Sequence, residues 1–180
     1  MDAALTHWIN SAAGVSPLLD RIMIAVSQIG VPLMVLAVAL QWWLRTDRPH
    51  VRHACLSAGL AFLLGLAVNQ VILLFVHRIR PYDAGVTHLL IAPSADWSFP
   101  SDHATAGMAI VAAFAMQALP RRTLAFFIMA LLICWSRLHI GIHYAGDIVG
   151  GAATGAAAAL AVRLGYRENS RMDVFATSIL

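Results

Sequence analysis

Five of the eight histidines, with three arginines, fall in two polar segments of an otherwise apolar chain, residues 77–103 and 136–147. The second segment reads Ser136-Arg137, then His143 after five intervening residues, then Asp147 after three more. Residues four apart meet on one helical turn, so the spacing predicts that the Asp147 carboxylate reaches the His143 imidazole. A carboxylate bonded to one ring nitrogen fixes the tautomer and leaves the other nitrogen as nucleophile or base. Arg137 adds a planar fork that matches two oxygens of a phosphate. The first segment supplies Arg80-Pro81 and, later, Pro100-Ser101-Asp102-His103 directly before an apolar run. Ser101 there suits the N-cap of a helix, and the free N–H groups beyond it suit an anion. His103 falls in the first turn, positioned to hand a proton to a leaving oxygen. Phosphate chemistry is what this combination could perform.

Each feature alone has a plainer explanation. Ser101 could simply cap a helix, Arg78 and Arg80 could anchor a span to lipid headgroups, and His143 with Asp147 could form a structural hydrogen bond. His77, His88 and His139 have no evident partner. The joint occurrence on one side of an apolar bundle favours function, since ionisable groups at a membrane boundary are functional candidates by default.

The elements that must hold these residues follow from composition. Of 180 residues, 60% are apolar and 12% charged, with a mean hydropathy of +0.75. Soluble domains carry about 25% charged residues, so the chain reads as a membrane protein. A formal charge of +3, carried by arginine with no lysine, is too small for a nucleic-acid binder. Cys55 and Cys134 sit in apolar runs and offer neither a disulfide framework nor a metal site. A helix needs about 20 apolar residues to cross. Five runs qualify: Ile22–Leu44, Ala54–Val76, Ala104–Leu119, Leu124–Trp135 with an extension to Ile140, and Ile148–Leu164. The expected fold is an all-α polytopic membrane helical bundle of five transmembrane helices, or six if Pro17–Ile29 and Val31–Leu44 are separate. Met1–Leu19, mildly amphipathic with Trp8, reads as an interfacial helix. Asp2 stands where a signal peptide would be positive. The chain divides as one domain: interfacial segment 1–19, bundle 22–165, tail 166–180. Gly146/Gly150 and Gly151/Gly155 form small-xxx-small pairs, which fit tight packing inside the monomer better than a dimer face.

Arginine placement sets orientation. Arg45, Arg48 and Arg52, then Arg121 and Arg122, then Arg163, Arg167 and Arg171 occupy three connections on one side, the cytoplasmic side by the positive-inside rule. Both polar segments face the other way.

Taken together the three blocks resemble the type-2 phosphatidic acid phosphatase superfamily of membrane lipid phosphatases. Its signature is Lys-x6-Arg-Pro, then Pro-Ser-Gly-His, then Ser-Arg-x5-His-x3-Asp. Ser136, Arg137, His143 and Asp147 complete the third block; Asp102 replaces the glycine of the second; Arg80-Pro81 remain of the first, with Leu73 at the lysine position. The resemblance runs from about Asn69 to Gly155. It implies His143 as nucleophile, Asp147 as its orienting carboxylate and His103 as general acid. Arg80, Ser101, Arg137 and the backbone at Asp102 would bind phosphoryl oxygens, with Arg78, Pro81 and Ser136 auxiliary and Arg78 a candidate replacement for the lysine. No metal or cofactor is implied. The run 98–103 is more similar to the undecaprenyl-diphosphate phosphatase branch.

The expectation is therefore a phosphatase of a membrane lipid phosphate or diphosphate, favouring undecaprenyl diphosphate, with its site on the outer face of the cytoplasmic membrane. Its partners are the lipid substrate and the bilayer, not nucleic acid. The enzyme alternative is a phosphatidic acid or phosphatidylglycerophosphate phosphatase; for either substrate, loop Tyr82–Trp97 is expected to admit the lipid. A small histidine-containing transporter is the non-enzyme alternative. Transport sites lie near the bilayer midplane, whereas these histidines cluster at helix ends.

Overall fold

The computed structural model describes residues 1–44 and 47–178, all helix, turn or loop among the described residues. Helix α1 (Asp2–Asn10) precedes α2 (Pro17–Leu40), which ends in a 3-10 turn at Gln41–Trp43. Then come α3 (Arg48–Leu73), α4 (Asp102–Met116), α5 (Pro120–His139), α6 (Ala145–Gly165) and the short α7 (Arg171–Thr177). The α2 helix with its turn, α3, α5 and α6 are each long and apolar enough to cross a membrane. With the shorter apolar α4 they make the five-helix membrane bundle.

Pro17, Pro49 and Pro120 stand at the starts of α2, α3 and α5, where a missing N–H costs nothing. Pro32 lies within α2 without breaking it, so the six-span alternative falls. Charged residues also join helices more readily than the apolar runs suggest. Arg48 and Arg52 belong to α3 rather than to a connection, and α5 extends from Pro120 through Arg137 to His139. Buried Arg52 donates to the Trp42 and Thr177 carbonyls and lies over the Trp42 ring, so it ties elements together rather than marking a loop. Arg45 lies outside the described residues.

Helix α4 is the centre. It packs most intimately on α6, then on α3 and α5, while α2 leans on α5. Its 15 residues cover only about 22 Å, less than the hydrocarbon thickness of about 30 Å. Surrounding helices shield it almost entirely, with Ala104, Ala109, Ile110 and Phe114 buried. The glycines of α6 permit the contact. A Cβ on Gly155 would overlap the Thr105 carbonyl oxygen, and one on Gly151 the Ser101 carbonyl oxygen. These small residues serve packing within the chain.

The flanking segments are docked. α1 buries Thr6, Ile9 and Asn10 against α5 and α6 while exposing Leu5 and Trp8. It ends at Asn10, and Pro17 to Leu19 already belong to α2. The segment expected as a tail holds α7 against α3. Asp173 Oδ1 accepts from His53 Nδ1 at 2.8 Å and from the Tyr166 hydroxyl at 2.6 Å.

Gly155→Val should lower the thermal midpoint in detergent, costing about 2 kcal/mol or more by overpacking the α4–α6 seam. Gly59→Val, where a Cβ meets nothing within 4 Å, should change it little.

Candidate active site

Three segments meet at one end of the bundle: the 74–101 connection, the start of α4, and the α5–α6 turn. Buried Asp147 joins them. Its Oδ2 accepts from Ser98 Oγ at 2.5 Å and from the Tyr144 N–H at 2.8 Å. Oδ1 accepts from Arg78 Nη1 at 2.7 Å, and its backbone carbonyl accepts from the Ser101 N–H at 3.1 Å. A buried carboxylate is tolerated only when so compensated.

His143 sits just before α6 with Nδ1 2.9 Å from the Ser98 carbonyl and 3.5 Å from Asp147 Oδ2. The carboxylate thus reaches the imidazole, as the spacing predicts, but at long range, while the shorter bond of Nδ1 goes to the Ser98 carbonyl, and the Ser98 hydroxyl in turn bonds Asp147. The reason is that His143 precedes the helix and lies outside its regular turn. Nδ1 must donate to a carbonyl, so Nε2 keeps its lone pair. Burial, assisted by the charges of Arg137 and Arg80 and opposed by Asp147, pushes the His143 pKa down to about 4.

His143 shares a cavity of about 190 Å³ with Leu73, Arg80, Asp96, Trp97, Asp102, His103 and Arg137. The two arginines differ in what they can still give. Arg80 Nε and Nη2 donate to the Asp96 carbonyl and carboxylate, Nη2 also to the Trp97 carbonyl, and Nη1 to the Ile142 carbonyl. Four of five guanidinium hydrogens are thereby committed to holding the loop. Arg137 is equally hidden, yet its partner is Ser27 Oγ on Nη1 at 2.6 Å, and its buried Nε has none. Arg137 is the cation equipped to take an anion. Burial works against Asp96 ionising, but bonds from the Ser94 hydroxyl and Arg80 hold its carboxyl below the ordinary range.

Other residues land less simply. Ser101 is the N-cap of α4, but its side chain caps nothing, and the buried Oγ is unpartnered. Asp102 faces the cavity and accepts from Asn69 Nδ2 at 2.7 Å. Ser136 Oγ turns back onto the Ile133 carbonyl, away from the site. Pro81 is buried beside Arg80. Leu73 lines the cavity where the signature has lysine, and Arg78 does not replace it: both its Nη atoms are committed to carboxylates outside the cavity. His139 pairs with Asp20, and the His77 ring packs at a tilt against Trp97, so both have structural partners.

Ser98, Ser27, Asn69 and Asp96 are the residues that motif spacing missed. Ser27 accepts from Arg137 through Oγ and bonds His103 Nε2 through its carbonyl at 3.1 Å. Its only sequence signal is a hydroxyl within an apolar run, which carries no position along the fold. The set could hold a tetrahedral anion against a nucleophilic imidazole. Among the described residues no group of three or more His, Cys, Asp or Glu side chains could hold a metal.

The PAP2 superfamily profile matches residues 54–171. Undecaprenyl-diphosphatase BcrC of Bacillus subtilis is 34% identical over 73% of this chain, and the match spans 67% of that protein's length. Among solved structures, LpxE of Aquifex aeolicus superposes with a TM-score of 0.72 at 23% identity, covering 92% of this chain and 95% of that one. A transmembrane PAP2-type phosphatidylglycerolphosphate phosphatase from Bacillus subtilis gives 0.66 at 22% identity, covering 93% and 87%. The two structures share the fold.

Arg137→Gln should lower kcat/KM about 100-fold or more with the thermal midpoint held, whereas Arg80→Gln should lower activity and midpoint together. Because the His143 pKa is depressed, its neutral form should persist from pH 8 down to about 4. After correction for substrate titration, the acid limb of kcat/KM from this group should therefore lie near pH 4. The stability contributed by burying the neutral ring is complete above an ordinary histidine pKa of about 6.5 and is lost as pH falls toward 4.

Proposed function

We propose that this chain, which belongs to the PAP2 superfamily and is a membrane lipid phosphatase, hydrolyses the terminal phosphoanhydride of undecaprenyl diphosphate by way of a phosphohistidine. The observation that carries the reading is the His143 tautomer: Nδ1 bound to the Ser98 carbonyl, Nε2 bearing its lone pair, in a cavity shared with Arg137 and His103. Nε2 attacks phosphorus, and the bond to the bridging oxygen breaks. His103 protonates that oxygen. Since its Nε2 is engaged with the Ser27 carbonyl, the transferred proton travels on Nδ1. The Arg137 fork and the remaining Arg80 hydrogen stabilise the equatorial oxygens, with Ser101 Oγ as an uncommitted donor. The lipid monophosphate leaves at that step; water, deprotonated by His103, then cleaves the P–N bond, releases inorganic phosphate and restores His143. Asp147 balances the imidazolium charge through Ser98 throughout.

The substrate follows the relative BcrC. The outer face of the cytoplasmic membrane fits the arginine distribution. Arg48, Arg121, Arg122 and Arg163 lie at helix ends opposite the cavity.

The test is phosphate release in detergent with a chelator present, comparing undecaprenyl diphosphate, phosphatidic acid and phosphatidylglycerophosphate. Release should be fastest from the diphosphate and should fall by about 1,000-fold or more in His143→Ala. Fastest release from a monophosphate would replace the substrate, and unchanged activity in His143→Ala would remove the mechanism. A cysteine at Asp83 should react with an impermeant reagent on intact cells; labelling only after lysis would reverse the orientation.

A further inference from the structure

Helix α1 reaches the site through one guanidinium. Arg78 divides its two Nη groups between Asp147 Oδ1 at 2.7 Å and Asp2 Oδ2 at 2.5 Å, and its plane lies 4.0 Å from the Tyr144 ring centre. Asp2 Oδ1 accepts the Gly146 N–H at 2.8 Å, and Thr6 Oγ1 accepts the Ala145 N–H at 3.0 Å. Two of the unpaired donors at the start of α6 are thus satisfied from α1. Gly146 is what admits the contact, since a Cβ there would come within 2.7 Å of Asp2 Oδ2 and 3.2 Å of Arg78 Nη1. Asp2 lies outside the stretch, residues 54–171, that the superfamily profile matches.

We propose that Asp2 and Arg78 are positioning residues for catalysis: by sharing one guanidinium between Asp2 and Asp147, α1 sets how much negative charge Asp147 presents to His143. The proposal rests on the reading of His143 as nucleophile and Asp147 as its carboxylate. Two carboxylates compete for one cation, and only Asp147 is fully buried. Burial opposes ionisation of Asp2, but bonds from Arg78 and the Gly146 N–H keep its pKa below the ordinary range, so it is charged at neutral pH. The other charged or titratable groups facing this network are Arg80, Arg137, Asp96 and Asp102 around the cavity, His103 from α4, Tyr144 over the guanidinium and the Met1 amino group beside Asp2. Removing Asp2 leaves Arg78 wholly to Asp147, which then stabilises the His143 imidazolium less. Removing Arg78 exposes the full Asp147 charge, and protonation of the His143–Asp147 pair becomes easier. The two changes move His143 in opposite directions.

The experiment compares Asp2→Asn, Arg78→Gln, Arg78→Lys, the double variant and Asp147→Asn by kcat, KM, the acid limb of kcat/KM and the thermal midpoint. Arg78→Gln should lower kcat about 100-fold and raise the acid limb by about half a pH unit or more. Asp2→Asn should lower kcat about fivefold without raising the limb. KM should hold in both, Arg78→Lys should recover part of kcat, and Asp2→Asn should add nothing to Arg78→Gln. Wild-type kcat in Asp2→Asn, or limbs moving the same way in both variants, overturns the proposal. Undiminished activity in Asp147→Asn instead overturns the underlying reading. Asp2, one-third exposed, decides the matter even if Arg78→Gln does not fold.

Discussion

The Asp147 carboxylate is fully buried in the end of an apolar bundle, where an uncompensated charge would cost several kcal/mol, and the surrounding segments are arranged to compensate it. Ser98 and Arg78 come from the long connection and Tyr144 from the α5–α6 turn, while the Asp147 backbone carbonyl takes the Ser101 N–H at the start of α4. No two of these donors are neighbours in sequence. The bonds to this one residue therefore fix the relative placement of three chain segments, and His143 inherits its position and tautomer from that arrangement. Stability and the geometry of the site draw on the same bonds.

The cations divide according to what remains uncommitted. Arg80 is nearly saturated by loop carbonyls and Asp96, so its charge faces the cavity while its hydrogens hold the loop. Arg137 keeps a buried donor without a partner, a cost that a bound anion would relieve. Leu73 leaves one wall of the cavity apolar, and the neighbouring Arg78 is spent on carboxylates. The site thus works with two cations beside two carboxylates, Asp96 and Asp102, and that balance bears directly on how much phosphate charge it can accept.

Much of this was legible in order and residue type. The third block, Ser136 to Asp147, placed an arginine, an imidazole and a carboxylate within reach of one another, and the five apolar runs announced the bundle. Element ends were less legible, because α3 and α5 take in arginines that hydropathy assigns to loops; long side chains reach carbonyls or water while their backbone stays helical. His139 and Asp20 illustrate a further limit. They pair at 2.9 Å across more than a hundred residues, and neither has a local pattern that names the other.

The five apolar helices of the bundle and the gathering of polar residues at one end of it follow from the sequence alone, since they depend on hydropathy and on spacing within a single segment. Which atom holds His143, which arginine is free, and what Arg78 does were decided only by the tertiary structure. Each depends on Ser98, Ser27 or Asp2, small polar residues whose meaning comes from what the fold sets opposite them. The arginines, first a bare surplus of charge, separate into one bonded fork with spare donors, one locked brace and one bridge between carboxylates. A guanidinium offers five hydrogens wherever it stands, and only the packed chain determines how many are already taken.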